Sequence, residues 1–149
     1  MYSDLDKREP FFQGDILQAT PFFVIPKGFS RSRQPTIQNL NVMILTQTCD
    51  IEHRDFLIVG RIVEFQELEQ TGVNQDFLRG MRERRIKYWF YLPTDRSFPE
   101  SYVDFTQIIY TPKNILKKQN KIKSLSDLGR HWLAYQLSDY FGRPFDPTQ

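Results

Sequence analysis

Two apolar, β-branched runs, NVMILTQT (41–48) and DFLIVGRIVEF (55–65), stand only six residues apart. Valine, isoleucine and threonine suit a pleated, half-buried surface, and so short a connection joins strands that run antiparallel. The pair reads as a hairpin with Cys49 to Arg54 as its turn. A sheet, rather than a helical bundle, must therefore be the centre of the fold.

The flanking segments extend that sheet. FFQGDILQATPFFVIP (11–26) offers two apolar runs with Gly14-Asp15 as a turn signal. Pro21 interrupts them, and a proline without a ladder donor predicts an edge or bent strand. KGFSRSRQPTIQN (27–39) has the composition of a long surface loop. IKYWFYLP (86–93) and SYVDFTQIIYT (101–111) read as aromatic and β-branched strands joined through Pro-Thr-Asp. Between the two groups, NQDFLRGMRERR (74–85) places Phe77, Leu78 and Met81 at one-face spacing, with Asn74 or Asp76 as N-cap, and predicts a short helix. SLSDLGRHWLAYQLSDYFGRP (124–144) predicts a second. Its caps are Ser124 or Ser126 and Gly142, and its face comprises Leu125, Leu128, Trp132, Leu133, Gln136, Leu137, Tyr140 and Phe141. The expectation is one α+β domain over residues 1–149: a barrel of about five strands, an inserted short helix and a C-terminal amphipathic helix.

The totals narrow the class. With 149 residues, 40% apolar and 26% charged, the chain can bury a real core. Residues 1–65 carry 7 basic and 8 acidic side chains and residues 66–149 carry 13 and 10, so the excess positive charge lies in the second half. A single cysteine fits a reducing compartment. MYSDLDKREP lacks the apolar run of a secretory signal, and no stretch has the roughly 18 apolar residues of a membrane helix. The expectation is a cytoplasmic protein, or a piece of one, with no membrane partner.

The order of these elements resembles the MazF/PemK toxins, small SH3-like barrels that cleave RNA. Gln13-Gly14-Asp15-Ile16 resembles the Gly-Asp-Ile/Val opening of that family's first strand. Val42 to Thr46 resembles its apolar strand ending in a hydroxyl residue, and Ser101 to Tyr140 its last strand, linking segment and closing helix. The resemblance implies an SH3-like barrel of bacterial or phage origin, with nucleic acid or an antitoxin as partner. The family's cleavage residues are not matched. Leu40-Asn41 stands where Arg-Pro precedes the second strand, and Val63 where a threonine closes the third. Of the Asp-Gln-x-Arg pattern only Asp104 remains, with Phe105 and Gln107 at the other places. Cleavage needs a group to move a proton and a cation to stabilise the phosphorane.

Two stretches could carry chemistry. In LTQTCDIEHRD (45–55), Cys49, Asp50, His53 and Asp55 could ligate a metal, or Cys49 could act as a nucleophile with His53 as base. Structural zinc takes four Cys or His ligands and the chain has three such residues, so no metal is expected. The plain alternative is a buried strand ending at Cys49, with Thr48 and Asp50 satisfying turn amides. In LRGMRERRIKYWFY (78–91), Arg79, Arg82, Arg84, Arg85 and Lys87 precede four consecutive aromatic residues. Arginines bind phosphates and rings stack on unpaired bases, which suits single-stranded RNA or DNA. Arg31 and Arg33 could join them from the long loop.

The lysines of 113–123 read as solvated surface, while the edge near Phe11-Phe12 and Phe22-Phe23 could receive a peptide strand. The leading expectation is a nucleic-acid-binding module without the usual ribonuclease residues and without a cofactor. An endoribonuclease using Arg31, Arg33, Asp50, His53 and Arg84, and a protein-interaction module binding at the barrel edge, are the alternatives.

Overall fold

The computed structural model describes residues 1–3, 10–24, 36–96 and 98–142. Strands β1 (Tyr2–Ser3), β2 (Asp15–Val24) and β3 (Thr36–Ile44) lead into a one-turn helix α1 (Thr48–Ile51). Strand β4 (Phe56–Glu64) is followed by helices α2 (Phe65–Gln70) and α3 (Gln75–Arg82). Then come β5 (Trp89–Leu92), β6 (Ser101–Pro112), β7 (Lys121–Leu125) and the closing helix α4 (Asp127–Phe141).

The seven strands form one sheet in the order β1-β7-β2-β3-β4-β6-β5, antiparallel at every pairing and curled into a half-barrel. The hairpin expected at 41–65 is its middle, with Val42 opposite Arg61 and Ile44 opposite Val59. Strand alternation splits the apolar residues into two cores. Met43 and Leu45 join Ile16, Phe90, Val103, Phe105 and Leu133 beneath α4, whereas Val42 and Ile44 join Leu17, Phe22, Leu57 and Val59 on the other face. A third cluster, including Phe65, Leu78, Met81 and Tyr102, fixes α2 and α3 to the end of the sheet.

Between Gly60 and Arg61 the partner strand β6 carries three extra residues, because Gly60 faces Ile108 while Arg61 faces Asp104. The buried Asp104 carboxylate holds this bulge by accepting from Thr106 N, Thr106 Oγ1 and Gln107 Nε2. A side chain at position 60 would meet Val103 Cγ1 at 2.5 Å, so glycine lets the strands approach there.

Several expectations are corrected. Among the described residues there are seven strands rather than about five, because β1 and β7 were hidden. β7 lies inside the lysine run read as solvated surface. Lys121 is 1% exposed and pairs with the fully buried Asp15 at 2.9 Å, and Lys123 pairs with Asp95 at 2.8 Å. A strand that alternates lysine with apolar residues can enter a sheet when carboxylates wait for the charges. The first half of β2 is interior, flanked by β7 and β3, and Phe11 is buried, so no edge exists there. Beyond Ala19, whose φ of 49° marks the bend, β2 pairs with β3 alone.

Helix α4 is shorter than expected. Ser126 Oγ accepts from Gly129 N at 3.3 Å and starts it, while Ser124 and Leu125 belong to β7. Its inward side is Leu133, Gln136, Leu137 and Tyr140, whereas Leu128, Trp132 and Phe141 are exposed. The apolar residues of α4 are spread around the helix among polar ones, so its sequence does not mark a single face and the sheet beneath chooses one. Gln136, the polar member of that side, donates its amide to the carbonyls of Ile86, Lys87 and Trp89 at 2.9–3.1 Å. It thereby ties α4 to the approach of β5.

Candidate interaction groove

Strand β6 outruns its partner β5. β5 accompanies Ser101–Asp104 only, while β4 follows β6 to Pro112. From residue 106 to 112, therefore, β6 has a strand on one side and, among the described residues, none on the other. The groups facing that open side follow from the neighbouring bonds. Ile58 O accepts from Leu45 N at 2.9 Å and Ile58 N donates to Thr46 Oγ1 at 2.7 Å, so Ile58 turns its main chain toward β3. Tyr110 stands opposite Ile58 and, in antiparallel register, turns its own main chain away from β4. Lys113 N donates to Asp55 O at 2.7 Å on the β4 side, which leaves the preceding Pro112 facing out, where its missing N–H is no loss. Ile108, Tyr110 and Pro112 thus line the open edge with two N–H donors and three carbonyls.

This edge borders an apolar groove of about 460 Å³. Its walls are Ile109 to Pro112 of β6 and Pro21, Phe22 and Phe23 of β2, with Ile37 and Ile115. Consecutive strand residues point to opposite faces, so a hollow lined by runs of three and four neighbours lies along strand edges rather than on a face. Phe23 is 77% exposed, Tyr110 66% and Ile37 65%. Tyr110 also stacks on Phe56 at 5.1 Å between ring centres, and Ile58 and Ile108 continue the apolar surface. A second hollow of about 360 Å³ follows, where Ile58 and Ile108 meet Leu137 and Phe141 of α4 under Gln13 and Gln47. Contiguous exposed apolar surface with a polar rim is the kind of surface that interaction sites present.

The opening stretch LTQTCDIEHRD forms part of that rim. Thr46, Gln47, Asp50 and Arg54 line a smaller hollow beside Phe56 and Tyr110. Cys49 is exposed on α1, which corrects its reading as a buried strand end; β3 ends at the buried Ile44, and Thr46 just beyond it is buried and bonded to Ile58. Thr48 Oγ1 does satisfy an amide, that of Gln13 at 3.1 Å, while Asp50 serves His53 through its main-chain carbonyl. The Cys49 sulfur lies 3.9 Å from both Gln47 Oε1 and Asp50 Oδ1, and no Cys49–His53 bond forms. Among the described residues no group of three or more His, Cys, Asp and Glu side chains could hold a metal ion.

The basic run is largely neutralised from within. Arg79 pairs with Asp76, Arg85 with Glu83 at 2.7 Å and Lys87 with Asp139 at 2.9 Å. Arg82 grips Glu100 with two bonds of 2.8 and 2.9 Å. Among the described residues Arg84 has no carboxylate partner; it ends α3 in the left-handed region at φ 58°, with Arg84 N bonded to Met81 O and Arg85 N to Gly80 O. Its guanidinium lies over the rings of Phe90 and Trp132 at 4.9 and 5.9 Å, and burial lowers its pKa. Tyr88 is exposed, Trp89 and Tyr91 half-buried and Phe90 buried, so the aromatic run supplies core and cover as well as surface. Arg31 and Arg33 lie outside the described residues.

The Arg82–Glu100–Tyr91 cluster allows a pH prediction. The bond from Arg82 holds the Glu100 carboxyl below the usual glutamate range against the opposing effect of burial, and Tyr91 adds to it. Burial and then its 2.6 Å bond to Glu100 push Tyr91 up to about 12. A carboxyl depressed in the folded state contributes stability above its unfolded pKa and loses it as pH falls through the folded value. In an NMR titration Arg82→Ala should move the Glu100 midpoint upward, and the variant's acid unfolding should begin at higher pH. An unmoved Glu100 midpoint would show that Arg82 is not its controlling partner.

The groove itself escaped sequence reasoning, apart from Phe22-Phe23. Its available signals were Pro112 closing an apolar strand and Pro21 within another, since both remove donors that only an unpaired edge can spare. In comparisons with known proteins, no family model and no curated protein matches the chain. No helix among the described residues is long and apolar enough to cross a membrane.

Proposed function

We propose that the chain is a protein-interaction module on an SH3-like barrel of the MazF/PemK kind, lacking that family's cleavage residues. The observation that carries this reading is the apolar groove between β6 and the β2–β3 ribbon, with Phe23, Ile37 and Tyr110 exposed along it. Such surface is costly to leave in water unless a partner covers it. The curled antiparallel sheet closed by α4 supports the barrel assignment. Against ribonuclease activity, the one retained motif residue, Asp104, is buried and spends both carboxylate oxygens on the β6 bulge. Against nucleic acid as the main ligand, four of the five cations in 79–87 already hold carboxylates.

The test is selection of a displayed random-peptide library on the purified chain, with Tyr110→Glu as the comparison. Selected peptides should bind the wild type and lose about ten-fold or more in affinity on the variant, whose charge would sit in the apolar groove. Failure to select any, or equal binding by both proteins, would overturn the reading. A single-stranded oligonucleotide whose affinity falls with salt, with a log–log slope reduced by roughly 1.4 in Arg84→Ala/Arg85→Ala, would put the nucleic-acid module in its place.

A further inference from the structure

We infer that the partner enters the groove as an extended peptide strand that pairs with β6 along Ile108–Pro112, an inference that rests on the interaction reading above. Apolar surface alone would admit a helix, a loop or a strand. The main chain decides among them. Ile108 and Tyr110 each aim an N–H and a carbonyl at the open side, and Pro112 adds a carbonyl; among the described residues none of these groups has a partner. Groups on alternate residues recur about every 6.6–6.8 Å along a strand, a spacing that another strand matches and a helix does not. A helix laid in the groove would leave these donors and acceptors unpaired as it displaced their water.

The side chains add the pattern the incoming strand should carry. Residues pointing into the groove meet Phe22 and Ile109, and residues pointing outward meet Tyr110 and Phe23, so apolar side chains are accommodated on both faces of the seam. Proline is excluded wherever the strand must donate to the Ile108 or Tyr110 carbonyl. Because Ile109 and Thr111 of β6 already pair with Val59 and Leu57 of β4, respectively, the new ladder forms without disturbing the old one.

The experiment uses the selected peptides with three variants and amide exchange. Tyr110→Pro removes only the outward N–H and leaves the β4 ladder intact, and Tyr110→Ala removes the ring but keeps the N–H. Tyr110→Pro should lose about ten-fold more affinity than Tyr110→Ala, since a lost hydrogen bond is compounded by the ring's block to close strand approach. Peptide binding should slow exchange at the Ile108 and Tyr110 amides and leave Ile109 and Thr111, already bonded, nearly unchanged. If Tyr110→Pro and Tyr110→Ala bind alike and the two amides exchange as before, strand pairing is overturned although Tyr110→Glu still abolishes binding. If Tyr110→Glu also binds normally, the interaction reading itself fails at this groove. Protection of both amides in the peptide-free protein, rising with concentration as the mass doubles, would make the occupant a second copy and overturn the inference.

Discussion

Lys121→Ala should destabilise the protein by about 3–5 kcal/mol, the usual cost of removing one partner of a buried ion pair. Lys121 is 1% exposed and its ammonium lies 2.9 Å from Asp15, itself fully buried. The Asp15 carboxylate also accepts from the amide of Phe12 and the hydroxyl of Ser124, so it ties the turn before β2 to β7. Without the lysine the carboxylate keeps those two bonds but loses its counter-charge in a place water does not reach. Urea unfolding should show a lower midpoint with little change in slope. The double variant Asp15→Leu/Lys121→Met should recover most of the loss, because apolar replacement of both partners removes the desolvation cost. A Lys121→Ala variant as stable as the wild type would mean that the pair is solvated, and β7 would then be a loosely held strand.

The second large effect is expected at Phe90. Its ring is fully buried in the core beneath α4, and Arg84 covers it at 4.9 Å. Phe90→Ala should cost about 3–5 kcal/mol through lost burial and the cavity left behind. For a chain of 149 residues this corresponds to a thermal midpoint lower by about 10–15 °C. Part of the loss belongs to the arginine: in a double-mutant cycle Arg84→Ala should cost less in the Phe90→Ala background, by about 0.5–2 kcal/mol if the cation rests on that ring. Additive effects would show that Trp132 alone supports the guanidinium. The same cycle bears on function, since an arginine engaged with Phe90 and Trp132 is less available to a phosphate.

The central hairpin was legible because period-two apolar runs, β-branched residues and a six-residue gap all point the same way. Helix α3 was legible for a similar reason: Asn74 Oδ1 does cap it, accepting from Asp76 N at 2.8 Å. Strand β7 was not, because KIKSL reads as surface until Asp15 and Asp95 are known to wait for its lysines. Asp15 is 106 residues away from Lys121 in sequence, and no local rule brings them together. The basic run illustrates the converse. Its composition suggested free cations, yet Arg82 meets Glu100, Lys87 meets Asp139, and Arg84 rests on Phe90 and Trp132.

By itself the sequence determined the local choices: that the runs at 41–65 pair as a hairpin, where α3 begins, that Gly142 closes α4, and that the chain has too few Cys and His residues for a four-ligand zinc site. These depend on side-chain shape, hydrogen bonding within a few residues and simple counting. Tertiary structure alone decided that β6 outruns β5, that α4 buries Leu133 and Gln136 while exposing Trp132, and that Tyr110 and Phe23 border one groove. An open edge is a property of how strands of unequal length are arranged in a sheet. The residues that make one are ordinary strand residues until their missing neighbour can be seen.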